Sequence, residues 1–271
     1  MNSLLAVAIF EFKRIMTPGR AFWWLVVAAF PVVITLLMST YLIPERRASV
    51  PQQPESIQEI GMMFTFALYV LGPSLSCMLG VLLTSAPIVA TELEQHSWVY
   101  LATRPNGLFH LLMGKYLVAV VWTASAAILG IALAIPISQI HYKWEALFAL
   151  TGLAVLSSFA YAALYLMIGT LFHAKAMVFC VAYTAAVELF LGMFPAVVNR
   201  MTIQFRLRSL LFRWITVDDN TIPANVIDLI ASNETMLLQL VWLAALTAVF
   251  LSVALVTVQV REFTTAAESE L

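Results

Sequence analysis

The feature that most constrains this chain is a series of long apolar runs that carry no charge. Positions 21–43, 60–90, 116–140, 146–172 and 237–260 contain no Asp, Glu, Lys or Arg, and 176–199 contains only Glu188. Backbone N–H and C=O groups find no water in hydrocarbon, so such segments must satisfy them internally as helices. A helix rises about 1.5 Å per residue and crosses about 30 Å of hydrocarbon with about 20 residues. The six runs predict an all-α integral membrane protein with six transmembrane helices in a single domain over 1–271. The run at 60–90 is too long for hydrocarbon alone, and Gly72-Pro73 and Pro87 are expected to bend it. Composition agrees: the chain is 62% hydrophobic and 11% charged, against about 25% charged in soluble domains.

A net charge of -1 and the absence of basic clusters exclude a nucleic-acid partner. Cys77 and Cys180 both lie inside apolar runs and read as packed thiols. The opening "MNSLLAVAIFEFKRIM" places its charges after the apolar residues and offers no small-residue cleavage site, unlike a signal peptide. It reads either as an interfacial helix over 1–16, with Lys13 and Arg14 at the C-terminal end, where cations suit the dipole, or as a simple first turn of the membrane domain. Thr17-Pro18-Gly19-Arg20 ends it.

Six spans place both termini on one side. Lys13, Arg14, Arg20, Arg104, Lys115, Lys175 and Arg261 fall on that side, and Arg46, Arg47, Lys143, Arg200, Arg206, Arg208 and Arg213 on the other. The totals tie, and only the first span favours a cytoplasmic N-terminus under the positive-inside rule.

The connector after the second span, "VATELEQHSWVYLATRPNGLFHLLMGKY", is unusually polar. Thr91 with Glu94 three positions on fits a capping box, and Arg104-Pro105-Asn106-Gly107 supplies a stop. The spacing predicts a helix over 92–103 with Glu92, Gln95, His96 and Thr103 on one side. Such a helix rests its apolar face on the bundle and turns its polar face outward.

Thr91, Glu92, Glu94, Tyr100, Leu101, Arg104, Pro105, Gly114 and Lys115 stand where the type-2 ABC transporter permeases carry their cytoplasmic connector, and the chain resembles that family. "HSW" and "NGLFH" depart from its commoner pattern. The interfacial helix and six spans resemble its layout along the whole chain, and Glu188, Pro195 and Arg208-Ser209-Leu210 resemble its fifth-span end. The resemblance implies a coupling helix that docks on a separate P-loop ATPase, with Thr91, Glu92, Glu94, His96, Arg104 and Lys115 as coupling residues. It also implies two permease chains, as homodimer or heterodimer, with two ATPase chains, in the bacterial cytoplasmic (inner) membrane. No G-x-x-x-x-G-K-[ST] occurs, so the chain is not expected to hydrolyse ATP itself. As a transport subunit without His-Glu-x-x-His it is expected to bind no cofactor and no metal and not to be an enzyme. ATP and Mg are expected on the ATPase.

Glu188, central in the fifth run, costs about 2.5–3.5 kcal/mol on insertion scales and must face protein or water. It reads either as a bond between helices or as a lining residue of a transport path. Ile203, Leu207, Leu210 and Trp214 form one stripe, and the segment reads as an amphipathic helix at the outer surface whose Arg206, Arg208 and Arg213 reach lipid headgroups. A further short helix is expected from Thr221. Small residues crowd the third and fourth runs and favour close helix packing. An ion-coupled secondary transporter is the alternative function. An intramembrane enzyme is a weaker one, since no histidine lies within a span.

Overall fold

The computed structural model describes residues 3–42, 54–94, 106–190, 202–215 and 234–260. They form α-helices joined by π-helical and 3₁₀ segments, and no strand occurs among them. The segment expected at the interface forms α1, Ser3–Ile15. Thr17 is extended and Pro18 occupies the first helical position of α2, Pro18–Leu37, where its fixed φ and missing N–H cost nothing. A π-helical turn, Met38–Leu42, follows.

The second long run forms α3 (Pro54–Tyr69), a π segment (Val70–Ser76), α4 (Cys77–Thr84) and α5 (Ile88–Glu94). Both expected bends are present. Pro73 lies inside the π segment, and Pro87 precedes α5. Ser157 of α7 donates to the Pro73 carbonyl, and Ser76 of the π segment donates to the Val27 carbonyl of α2 at 3.3 Å, so the segment is hydrogen-bonded to two neighbouring helices.

Asn106 takes the left-handed conformation, φ 57°, which Asn tolerates better than most residues, and starts α6, Gly107–Ile137. Then come α7 (Lys143–Leu171), a 3₁₀ turn (His173–Lys175), α8 (Ala176–Tyr183) and a π segment (Thr184–Phe190). The last described helices are α9 (Ile203–Trp214) and α10 (Met236–Val260).

Among the described residues, five helices are long and apolar enough to cross a membrane: Pro18–Tyr41, Ile60–Glu94, Gly107–Ile137, Lys143–Leu171 and Met236–Val260. The protein is an all-α, multi-pass type of membrane protein. The sixth run expected at 176–199 is helical through Phe190, and 191–199 lie outside the described residues.

α6 and α7 are the centre of the bundle, while α2 and α10 leave most of their apolar surface outward. Small residues allow close approach between them. A Cβ on Gly130 would lie 2.6 Å from the Ala28 carbonyl oxygen, and one on Gly169 2.5 Å from that of Ala86. α7 returns antiparallel to α6. α10 starts where Trp214 donates to Met236 Sδ at 3.3 Å, with the Trp214 ring against Gly152 in the first half of α7. It then runs beside Leu156 and Phe159, in the same direction as α7.

Candidate functional site

α5 begins one turn earlier than the capping box places it. The cause is Pro87, whose carbonyl accepts the Thr91 N–H and, at 2.9 Å, the Thr91 hydroxyl. Thr91 is therefore an interior helical residue bonded back to the preceding turn, not an N-cap. Of the helix expected over 92–103, residues through Glu94 belong to α5. His96 and Arg104 lie outside the described residues.

The earlier start changes where Glu92 points. It was expected on the outward polar face, but it is 2% exposed and faces the bundle. Its Oε1 accepts Arg14 Nη1 from α1 at 3.0 Å and the Lys115 ammonium from α6. Arg14 also reaches Glu11 at 3.3 Å. Burial lowers the pKa of Arg14, but the bonds and charges of Glu92 and Glu11 outweigh it and raise the value above the ordinary one. Lys115 is buried too, and a buried cation requires such a partner. One carboxylate thus ties together three helices that are far apart in sequence. Glu94, two residues on, is exposed.

The intramembrane acid is placed as an interhelical bond. Glu188 is 3% exposed and accepts three donors: the Tyr161 hydroxyl of α7 at 3.1 Å, the Gln204 N–H at 3.1 Å and the Ile203 N–H at 3.3 Å. The last two are orphan donors of the first turn of α9, where a carboxylate also suits the helix dipole. Thr202 caps the same end by accepting the Phe205 N–H at 3.2 Å. Beside it, Gln204 donates to Ser74 at 2.6 Å and accepts the Tyr69 hydroxyl at 2.7 Å. Tyr161 stands near the middle of α7, so α9 starts deep in the bundle.

α9 is accordingly not a surface helix. Ile203, Leu207 and Leu210 of its apolar stripe are buried and Trp214 is half-buried, but Gln204, Arg206 and Ser209 are buried as well. Arg206 does not reach toward headgroups. It bonds Glu234 at 2.5 Å and Gln239 at 2.9 Å, with its guanidinium 5.4 Å from the Trp242 ring centroid. Arg208 is half-buried and Arg213 is exposed. The segment from Thr221 lies outside the described residues. Among the described residues no group of three His, Cys, Asp or Glu comes together in a way that would hold a metal.

Sequence reasoning missed Arg14 as the partner of Glu92, and Tyr161 and Gln204 as partners of Glu188. The signals available were an arginine closing an interfacial helix and a tyrosine in an otherwise apolar span. No family model, curated protein or solved structure matches the chain.

Proposed function

We infer that this chain is the membrane-spanning permease subunit of an ABC transporter of the type-2 kind, driven by ATP hydrolysed on a separate subunit. The observation that carries the reading is the tie of Glu92 to Arg14 and Lys115. It locks α1, the second span and the third span together immediately before the 95–105 connector. A push on that connector enters three helices at once, as the coupling of a remote motor to a membrane domain requires. Exposed Glu94, with His96 and Arg104 further on, is the part that meets the ATPase, where rim charges set partner choice and association rate. Glu92 and Lys115 act inside, as the anchor of the lever.

A six-span layout is supported by chain direction. α7 and α10 run the same way, so the chain between them must cross back, and Ala176–Tyr183 with Thr184–Phe190 begins that return. An even number of crossings leaves both termini on one side, the cytoplasmic side in this reading, in a bacterial inner membrane. The working complex is two permease chains with two ATPase chains that hold ATP and Mg.

The test is to look for a P-loop ATPase encoded next to this chain, coexpress the two, and follow ATP turnover after reconstitution. Stimulation of turnover by the chain, lost in Glu94→Ala with Arg104→Ala at unchanged thermal stability, is the expected result. Undiminished stimulation in that variant overturns the reading. A proton-coupled transporter is favoured by the buried Glu188 within a π-helical segment, and predicts uptake driven by a pH gradient in vesicles that lack any ATPase.

A further inference from the structure

At the end of the bundle where α1 stops, a cavity of about 240 Å³ opens between α1, the start of α2 and the end of the second span. Glu11, Arg14, Thr17, Arg20, Thr91 and Lys115 border it. Its charges do not cancel. Arg14 and Lys115 are matched by the carboxylates of Glu92 and Glu11. Arg20 is exposed and has neither an ion pair nor a hydrogen bond among the described residues. One cation is therefore left over at the mouth of a polar hollow.

The surroundings are apolar. Phe10 on α1, Met16 just after it, and Phe22, Trp23 and Leu25 on α2 are all exposed. Aromatic residues at the end of a span mark the boundary between headgroups and hydrocarbon. A hollow with an unmatched guanidinium, set between apolar walls at that boundary, is complementary to a molecule with a phosphodiester on hydrocarbon chains. Guanidinium and phosphate form charge-assisted bonds of matched geometry. A zwitterionic lipid offers the same phosphate, but its own ammonium already compensates that charge, whereas a net anion is left to balance Arg20.

We propose that this cavity binds the headgroup of an anionic phospholipid, with Arg20 holding the phosphate and the Thr17 hydroxyl donating to it. The assignment requires only that the chain lie in a bilayer, and stands apart from the transport reading. The experiment uses the purified full chain in detergent, mixed with phosphatidylglycerol or phosphatidylcholine, with retained lipid read by native mass spectrometry. One phosphatidylglycerol is expected to stay bound at concentrations where phosphatidylcholine does not. Arg20→Ala should lower that affinity roughly tenfold, the loss of one charge-assisted bond, and Arg20→Lys should restore part of it. Lys13→Ala removes an exposed cation that does not border the cavity and should change nothing. Equal retention of the two lipids, or equal losses in the Lys13 and Arg20 variants, overturns the proposal. In a second arm, inorganic phosphate and glycerol 3-phosphate are added alone. Thermal stabilisation by either at lipid-like concentrations makes the ligand a free anion and overturns the lipid assignment.

Discussion

Glu188 and Gln204 meet across a 3.1 Å bond in which a carboxylate deep in the bundle accepts the backbone N–H of a helix's second residue. With the Ile203 N–H on its other oxygen, Glu188 completes the first turn of α9 from another helix. The position where α9 starts is thereby set by a side chain from an earlier segment.

Removing that carboxylate should loosen α9 first. In Glu188→Ala the two N–H groups and the Tyr161 hydroxyl lose their acceptor, at about 1–3 kcal/mol for each buried group left unmade. Glu188→Gln keeps one carbonyl oxygen and should lose less. Unfolding titrated with SDS in mixed micelles measures both, and an alanine variant as stable as the parent would refute the capping role.

The ion cluster behind α5 makes a sign prediction. Glu92→Ala leaves Lys115 buried without its carboxylate, which should cost about 3–5 kcal/mol. Glu92→Leu combined with Lys115→Met removes both charges and should recover most of that loss. Thermal midpoints of the single and double variants test it; additive losses would mean the pair is not coupled.

Backbone approach sets a third expectation. Gly130→Ala and Gly169→Ala drive a methyl to 2.6 and 2.5 Å from carbonyl oxygens of Ala28 and Ala86, so helices must move apart and stability should fall by about 1–3 kcal/mol. Gly19→Ala meets nothing within 4 Å and should be neutral or stabilising by about 0.4–1 kcal/mol. The same unfolding titration ranks the three, and a large loss at Gly19 would contradict the packing described.

Arginines of α9 should separate by burial. Arg206→Ala strands Glu234 and Gln239 and exposes the Trp242 face, and should destabilise strongly. Arg213→Ala, at an exposed position, should stay within about 0.5 kcal/mol. The same SDS unfolding titration is the readout, and equal losses in the two variants would contradict the placement of Arg206.

The long charge-free runs made the helices legible, because in hydrocarbon length and apolarity leave the backbone no other choice. The bends at Pro73 and Pro87 and the break at Thr17-Pro18 were equally legible, since proline chemistry is local. What escaped was partnership. Thr91 and Glu94 match a capping box letter by letter, yet Pro87 starts the helix earlier and turns Glu92 inward. Arg206 reads as a headgroup anchor because its partner Glu234 lies 28 positions on, and periodicity within one helix says nothing about what another segment brings to it.

The wide turn at Val70–Ser76 has a consequence for any movement of this protein. Pro73 has no N–H to donate to the turn, and Ser157, Ile131 and Val27 hold the segment from three neighbouring helices. The bend is a weld, not an elbow. Whatever shifts the lower half of the second span must drag α2, α6 and α7 along, so the molecule is built to rock as a block and not to flex at its own midpoint.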